Sequence, residues 1–355
     1  MKWLLFVYSI LSFITLFLLH HFFYKKAQVF NINKAYQKAI RWSSQSKPVA
    51  GGITFFVSFI LGTIFFLLTQ SANQQIHTEY LTISLSLTIA FFTGLADDML
   101  SISPSLKMLL QALASLILVY SGLYIQLFSN VWLNYALTVI WYIGMMNSIN
   151  MLDNMDSVAT SISLIALLGF ICLNMFYFSN FYDSFIMLSL FFALLTFLFY
   201  NLHPSKMYMG DNGSLFLGLS LAIFAVKYLW NSPFYGNYSY TIQLILPFII
   251  VFLFFLIPIA DTITVTVNRL LRKQSPFIGG KDHTTHSLFE LGLNENKIVL
   301  LLSFLNLISV ILAIYLILTD FRSKILVVLS FFYCIFVALF LYINAFLRNK
   351  KNKRF

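Results

Sequence analysis

The sequence predicts an all-α, polytopic integral membrane protein with about eleven transmembrane helices. Of its 355 residues, 60% are hydrophobic and only 10% are charged. Soluble domains carry about 25% charged residues because their surfaces face water, so most of this chain must face lipid. The apolar runs are rich in aromatic residues and lack the alternation of β-barrel strands, which indicates helices as the spanning elements.

Each predicted span is an apolar run of about the 20 residues that a helix needs to cross a bilayer. In chain order the runs cover residues 3–23, 49–69, 80–96, 106–122, 129–146, 158–178, 184–201, 212–230, 241–262, 298–318 and 325–346. The first run has no small-residue cleavage site, so we interpret it as a span and not as a signal peptide.

The distribution of basic residues predicts the orientation of the chain. All but four of the 22 Lys and Arg residues fall in one set of loops; the four are Lys2, Lys227, Arg322 and Lys324. The positive-inside rule then places the N-terminus outside and the C-terminus inside, in the inner (cytoplasmic) membrane. The net charge of +10 is attributed to this topology and to anionic lipid, and no nucleic-acid partner is expected.

No internal repeat or linker divides the chain, so we expect a single transmembrane domain over residues 1–355. Its active-site loops are expected on the cytoplasmic side, at about 24–48, 97–105, 147–157, 202–211 and 263–297. Cys172 and Cys334 both lie inside apolar runs and offer neither a disulfide framework nor a metal-ligand spacing.

Most acidic residues fall on the same predicted side as the basic loops. Insertion does not explain this bias, because only Lys and Arg follow the positive-inside rule, and charges beside apolar helices are costly. All but three of the 12 acidic residues belong to this set: Asp97, Asp98, Asp153, Asp156, Asp211, Asp261, Asp282, Glu290 and Glu295. Converging carboxylates are the hard oxygen ligands that Mg²⁺ or Mn²⁺ prefers.

Two motifs lie near the second and third spans. Gly51 and Gly52 follow Pro48 and could let the backbone approach a ligand; alternatively the loop simply enters a helix. The adjacent carboxylates of Asp97 and Asp98 repel each other unless a cation lies between them. Lys107 follows nearby with Gln111. The alternatives are a solvated helix end for the acids and an interfacial anchor for the lysine.

A polar rhythm follows the fifth span. Asn147, Asn150 and Asp153 recur every three residues, with Asp156 three further on, which places them near one face of a helix or turn. Asn150 and Asp153 could therefore meet one ligand. The alternative is an ordinary polar loop between spans.

The segment from Asn201 through Lys206 to Asp211 precedes the eighth span. Asp211 would lie at a helix N-terminus, where free N–H groups can bind phosphate oxygens and the carboxylate can hold a metal. The alternative is an N-capping aspartate.

The longest loop carries Arg269, His283 and His286. Histidines with basic neighbours suit phosphate binding or proton handling. Zinc is less favoured because no cysteine or third histidine lies nearby, and isolated loop histidines remain the alternative.

Taken together, these motifs resemble the polyprenyl-phosphate N-acetylhexosamine-1-phosphate transferases (glycosyltransferase family 4). The order is Pro-x-x-Gly-Gly, Asp-Asp, Lys-x-x-x-Gln, Asn-x-x-Asn-x-x-Asp-x-x-Asp, Asn-x-x-Pro-x-Lys-x-x-Met-Gly-Asp-x-Gly-Ser and a late histidine loop, over residues 48–288. The resemblance implies a Mg²⁺-dependent membrane enzyme, with Mn²⁺ as the alternative ion. It would transfer sugar-1-phosphate, most simply N-acetylglucosamine-1-phosphate, from a UDP-sugar to undecaprenyl phosphate, release UMP and start a lipid-linked cell-envelope polysaccharide. A homodimer is left open.

The resemblance also implies roles for individual residues. Asp211 and Asn150 would be metal ligands, and Asp97 would orient or deprotonate the polyprenyl phosphate. The remaining catalytic candidates are Asp98, Asp153, Asp156 and His283. The substrate-binding candidates are Gly51, Gly52, Lys107, Asn147, Asn201, Lys206, Arg269 and His286.

Three departures from the family pattern bear on the donor sugar. Thr285 occupies the middle histidine position, Asn154 and Ser157 replace two glycines, and Ser287 stands where arginine is common. The short late loop favours the N-acetylglucosamine branch over the phospho-N-acetylmuramoyl-pentapeptide branch, whose three adjacent histidines are absent.

An ion-coupled transporter is the rival from another class, although transporters place ionisable groups near the bilayer midplane. A CDP-alcohol phosphotransferase would need a repeated Asp-rich signature that the sequence lacks.

Overall fold

The computed structural model describes residues 2–26, 47–69, 78–275, 280 and 282–351. Most of the loop expected at 24–48 lies outside the described residues, as do positions 276–279 and 281 of the loop expected at 263–297. The described part contains no β-strand and only one isolated parallel bridge, between Val49 and Tyr208. The prediction of an all-α fold is therefore confirmed.

Thirteen α-helices make up most of the described chain. They are α1 (Lys2–Lys26), α2 (Gly51–Thr69), α3 (Thr78–Leu100), α4 (Pro104–Tyr120), α5 (Val131–Leu152), α6 (Val158–Leu173), α7 (Phe181–Asn201), α8 (Gly210–Ala225), α9 (Tyr240–Phe254), α10 (Leu256–Leu271), α11 (Thr284–Glu290), α12 (Glu295–Leu318) and α13 (Lys324–Lys351). Single π-turns at Asn174–Phe178 and Val226–Trp230 extend α6 and α8.

The count of eleven spans is not confirmed. Among the described residues, 8 helices are long and apolar enough to cross a membrane, or 9 if the bent pair of α9 and α10 counts as one span. Helix α4 falls short because it has only 17 residues. Helix α5 is long enough but carries polar side chains such as Asn134, Asn147 and Asn150, which lower its hydropathy.

The run predicted as one span over 241–262 is two helices that meet at 92°. Pro258 lies in the first turn of α10 and has no N–H to donate to the Phe254 carbonyl, and its ring clashes with that carbonyl in a continuous helix. Phe255, between the two helices, has a non-helical backbone at φ −118 and ψ 32. The prolyl residue therefore ends α9 and turns α10 in a new direction.

Helix α8 lies at the centre of the molecule and packs against α2, α3 and α5. Its span is 94% buried. Glycines allow the close approach, as is usual between membrane helices. A Cβ added at Gly52 of α2 would lie 1.7 Å from Asn212 Oδ1, and one at Gly94 of α3 would lie 2.3 Å from the Asp211 carbonyl oxygen. These contacts fix the N-terminus of α8 against the ends of two other helices.

An ion cluster joins three helices at the opposite end of α8. Lys227 Nζ lies 2.9 Å from Glu79 Oε1 and 2.5 Å from Asp183 Oδ2. The Tyr228 hydroxyl donates to the same Asp183 carboxylate at 2.5 Å. Breaking such a cluster would leave a buried charge unpaired, so it holds the starts of α3 and α7 against the end of α8.

Candidate active site

The centre of the candidate site is an ammonium group between two carboxylates. Lys107 Nζ donates to Asp97 Oδ2 at 2.8 Å and to Asp211 Oδ2 at 2.5 Å. Asp97 lies in the last turn of α3, Lys107 in the first turn of α4 and Asp211 in the first turn of α8. All three side chains are partly accessible, with exposures of 20%, 17% and 28%. The arrangement can present both signs of charge to a polar ligand.

Asp98 has a different role from its neighbour. Its Oδ1 accepts from the Asp211 N–H at 2.9 Å and its Oδ2 from the Asn212 N–H at 3.0 Å. These are N–H groups of the first turn of α8, which lack partners within the helix. Asp98 therefore caps α8 from another helix and positions Asp211. The carboxylate pair is split between one capping group and one accessible group.

The amides of α5 lie beside this cluster. Asn147 Nδ2 donates to Gln111 Oε1 at 2.8 Å, which pairs α5 with α4 one turn beyond Lys107. The Asn150 amide lies against the Asp211 carboxylate, yet its buried Nδ2 has no hydrogen bond of standard geometry to the described residues. Asp153, directly after α5, has its N–H bonded to the Ile149 carbonyl at 3.2 Å. The polar rhythm predicted from the sequence is thus one face of the end of α5.

Asp156 forms a second polar cluster with the loop before α8. Its carboxylate accepts from Ser205 N–H at 2.9 Å and Ser205 Oγ at 2.8 Å. His203 Nδ1 lies 3.2 Å from Asp156 Oδ2 and 2.6 Å from Glu295 Oε2. Lys47 Nζ lies 4.0 Å from the same Asp156 oxygen. The ligand atoms of Asp156, His203 and Glu295 lie within 4.8 Å of one another, and His203 and Asp156 share a hydrogen bond.

The late loop docks on α10. Arg269 holds Asp282 through two bonds, Nε to Oδ2 at 2.8 Å and Nη2 to Oδ1 at 2.7 Å. Burial disfavours the charged form of Asp282, but the hydrogen bonds and charge of Arg269 outweigh it and hold the pKa of that carboxyl below its usual range. His283 Nδ1 lies 2.9 Å from Asp261 Oδ2, and the ring of His286 lies 5.9 Å from that of His283. The two histidines are therefore neighbours, and both are buried.

Two departures from the family pattern contact each other. Thr285 Oγ1 donates to Asn154 Oδ1 at 2.5 Å. Helix α10 also reaches α5 directly, through Thr262 Oγ1 and Ser148 Oγ at 2.9 Å. These bonds join the histidine segment to the turn that follows α5.

Several residues expected to bind substrate have other contacts. Gly51 and Gly52 donate their N–H groups to Tyr208 and Met209 carbonyls at 3.1 and 3.0 Å, and Gly52 packs on α8. The two glycines do allow the backbone to approach closely, and the structure shows that it approaches another helix. Asn201 accepts from Ser157 N–H at 3.0 Å and Thr160 Oγ1 at 2.7 Å, and donates to the Met207 carbonyl at 3.1 Å. These bonds use its amide to fix the turn before α6.

Lys206 is exposed and its side chain takes part in no described ion pair. The structure brings Asp97, Lys107, Asn147, Asn150 and Asp211 together around the start of α8. It places Asp156 in the cluster with Ser205. Arg269 lies on α10, His283 directly before α11, and His286 on α11. The substrate contacts themselves stay predictions for all of these residues.

Three polar residues gain importance only in the structure. Asn212 Oδ1 is buried beside Asp211 without a hydrogen-bond donor among the described residues. His203 and Glu295 join Asp156, although 92 positions separate the two in the chain (295 − 203). The one signal in the sequence was a charged or polar side chain directly beside a helix end, which is too common to single them out.

The donor set fits a divalent cation of the Mg²⁺ or Mn²⁺ type. Carboxylate oxygens of Asp97 and Asp211 converge from two helices on one ammonium, so the same oxygens can meet a cation. The buried Asn212 Oδ1, beside Asp211, is an amide oxygen that receives no hydrogen bond from the described residues. Carboxylate and amide oxygens are the ligands that these ions take in proteins. Asp211 and Asn150 are the residues that would hold the ion.

Fold and site together define a helical membrane protein with a carboxylate–lysine site at the ends of its central helices. Comparison with known proteins gives the family. The model of glycosyl transferase family 4 matches residues 80–229. A probable undecaprenyl-phosphate N-acetylglucosaminyl 1-phosphate transferase of Bacillus subtilis is 30% identical over 319 residues, or 87% of this chain and 82% of that protein. The chain belongs to glycosyl transferase family 4, as its motifs predicted.

Other relatives differ in the substrates that their names state. A decaprenyl-phosphate N-acetylglucosaminephosphotransferase of Mycobacterium leprae is 30% identical over 59% of this chain and 57% of its own length. A phospho-N-acetylmuramoyl-pentapeptide-transferase of Staphylococcus carnosus is 29% identical over 50% of this chain and 61% of its own length. The match to the Bacillus protein covers the largest share of the three.

Proposed function

We propose that this protein transfers a sugar-1-phosphate from a UDP-sugar to undecaprenyl phosphate, and that the preferred sugar-1-phosphate is N-acetylglucosamine-1-phosphate. The Asp97–Lys107–Asp211 cluster carries the proposal, because it concentrates both carboxylates and an ammonium at the accessible ends of three apolar helices. A polyprenyl tail cannot leave the bilayer, so a site at helix ends suits a lipid phosphate acceptor. The products would be a polyprenyl-diphospho-sugar and UMP.

In the proposed step, an oxygen of the polyprenyl phosphate attacks the phosphorus attached to the sugar. The bond from that phosphorus to the bridging oxygen breaks, and UMP leaves with the bond's electron pair. Asp97 would orient the acceptor phosphate or take its proton, since a phosphate monoester has a second pKa near 6. Lys107 would contact the phosphate oxygens while it remains between the two carboxylates. Single displacement requires no covalent enzyme intermediate, and a two-step route through an aspartyl-phosphate is the alternative.

Mg²⁺, held by Asp211 and Asn150, would supply positive charge to the pyrophosphate and stabilise the leaving UMP. His283, His286 and Lys206 would bind further phosphate oxygens of the substrates. Asp98 supports the site by capping α8, and Asp153 and Asp156 would contact the nucleotide. We place the site on the cytoplasmic face of the inner membrane, within a single domain over residues 1–355, and leave a homodimer as a possible assembly.

The direct test is UMP release by purified protein with undecaprenyl phosphate, Mg²⁺ and a panel of UDP-sugars, with EDTA as the control. We expect release with UDP-N-acetylglucosamine that EDTA abolishes. Release only with UDP-N-acetylmuramoyl-pentapeptide would move the protein to the sister activity. No release with any donor, from folded protein in lipid, would refute transferase activity and call for the transport assay of the rival hypothesis.

A further inference from the structure

We propose that Asp261 is a positioning residue: it determines which ring nitrogen of His283 carries a proton and the direction in which the ring faces. The part of the inference that concerns turnover rests on the transfer reaction proposed above. The hydrogen bonds that carry it do not depend on the donor sugar.

Asp261 is fully buried on α10 and accepts three hydrogen bonds from two consecutive residues. His283 Nδ1 lies 2.9 Å from Oδ2, and Thr284 gives both its N–H and its Oγ1 to Oδ1, at 2.8 and 2.6 Å. A carboxylate has no proton to donate, so His283 Nδ1 must be the donor. The Nε2 atom is then the ring nitrogen left for a ligand.

A purely structural role does not account for all three bonds. Thr284 begins α11, and its N–H lacks a partner within that helix, so Asp261 caps α11 from another helix. The bond to His283 adds nothing to this cap. It instead commits one nitrogen of a ring whose basic neighbours in the sequence suit phosphate binding or proton transfer. Carboxylates that fix histidine tautomers in this way are common in functional sites.

A second anchor on the same helix makes the placement rigid. Arg269, two turns after Asp261 on α10, grips Asp282 with two parallel bonds. A basic residue thus holds position 282 and an acidic residue holds positions 283 and 284. The alternating charges allow one register of the segment on α10, because a shift by one residue would place Asp282 against Asp261.

The docked segment reaches the rest of the site through α5. Thr262 of α10 contacts Ser148, and Thr285 contacts Asn154. Both partners belong to α5 or to the turn after it, and α5 carries Asn150 beside Asp211. Rotation of the His283 ring would therefore change which ring atom can bind a phosphate, without moving the helices.

The tautomer can be measured without any assay of activity. Nitrogen-15 NMR of histidine-labelled protein in nanodiscs reports which ring nitrogen is protonated, and His283→Gln assigns the signal. We expect Nδ1–H in the natural protein. In Asp261→Asn the amide can donate to Nδ1, so the proton of the neutral ring should move to Nε2. Thr284→Val is the matched control, since it removes a bond to the same carboxylate and should keep Nδ1–H.

Kinetics provides the second readout. In the UMP-release assay, Asp261→Asn should lower kcat about 100-fold, the scale on which a wrongly placed proton slows such steps, with KM for the UDP-sugar changed little. Thr284→Val should stay within about threefold of the natural protein.

Three results would overturn the role of Asp261: an Nε2–H tautomer in the natural protein, an unchanged tautomer in Asp261→Asn, or equal kinetic losses in Asp261→Asn and Thr284→Val. If Asp261→Asn does not fold, the tautomer of the natural protein decides alone. Absence of turnover in the natural protein would refute the proposed function, whereas the NMR result would still decide whether Asp261 sets the tautomer.

Discussion

At the scale of the residue, the adjacent carboxylates of Asp97 and Asp98 have different contacts and different roles in the site. Asp97 faces Lys107, whereas Asp98 binds the first N–H groups of α8. Two adjacent ionised carboxylates repel each other, and here each has its own positive partner: an ammonium for one and the positive end of a helix dipole for the other.

Removal of the charge from either accessible carboxylate should stop the reaction. We expect Asp97→Asn or Asp211→Asn to lower the UMP-release rate about 100-fold or more, because the first would remove the base proposed for the acceptor phosphate and the second a proposed ligand of Mg²⁺. Glu290→Gln, an exposed carboxylate of α11, is the control and should retain activity. Near-normal turnover in either site variant, with normal folding, would mean that the residue has been assigned wrongly.

The Arg269–Asp282 pair should make stability depend on pH. The pKa of Asp282 is lowered by its partner, so the folded state binds fewer protons than the unfolded chain at acidic pH. Its contribution is therefore complete above the ordinary Asp value of about 3.9 and is lost as the pH falls through the folded pKa. Thermal unfolding of the natural protein and of Asp282→Asn should differ at pH 7 and converge towards pH 3. A constant difference across that range would contradict this account.

At the scale of the element, helix α8 packs closely on α2 and α3 because each of these helices has a glycine at the contact. Gly52 and Gly94 bring α2 and α3 to van der Waals distance from the first turn of α8. That turn carries Asp211. The geometry of the site is therefore set by helix packing as much as by its charged groups.

Gly52→Ala should separate α2 from α8. The new Cβ would lie 1.7 Å from Asn212 Oδ1 and 2.2 Å from the Gly213 backbone N, and overpacking of this kind costs about 1–3 kcal/mol. We expect a lower unfolding temperature and a loss of UMP release. Gly144→Ala in α5 is the matched control, since nothing lies within 4 Å of its Cβ, and it should be neutral or slightly stabilising. Equal stability of the two variants would contradict the close packing.

At the scale of the whole molecule, charged groups gather at the two ends of the helix bundle. One end holds the Asp97–Lys107–Asp211 cluster, and the other holds Lys227 between Glu79 and Asp183. Ionisable groups are costly in the hydrocarbon layer, so this distribution fits helices that cross a membrane with both ends in polar surroundings. The ends of α8 are joined to the ends of its neighbours on both sides.

The predicted orientation can be tested by cysteine labelling. Ser105→Cys, at the start of α4, should react with a membrane-impermeant reagent only after the cells are permeabilised. Ser323→Cys, between α12 and α13, should react in intact spheroplasts. Both serines are exposed, which makes them a matched pair, and Cys172 and Cys334 are replaced beforehand by alanine. The opposite labelling pattern would invert the topology and place the site outside the cell.

The sequence alone determined the helical class, most helix positions and the family. Apolar runs and motifs are both local features of the sequence, so they can be identified without knowing which helices are in contact. The sequence also selected Asp97, Lys107, Asn150 and Asp211 before their contacts were known. It did not lead us to predict that the run 241–262 is divided at Phe255 into two helices that meet at 92°.

Only the tertiary structure decided what each polar group contacts. Gly51 and Gly52 pack against neighbouring helices and Asn201 fixes a turn, contacts that their motifs did not reveal, and their substrate contacts stay predictions. Asp98 caps a helix that begins more than a hundred positions later, and Asp261 holds a histidine of another segment. Such assignments depend on which atoms meet across the fold. The physical reason is that a hydrogen bond or a close contact depends on two groups that the fold brings together, whereas a motif describes a single segment of the sequence.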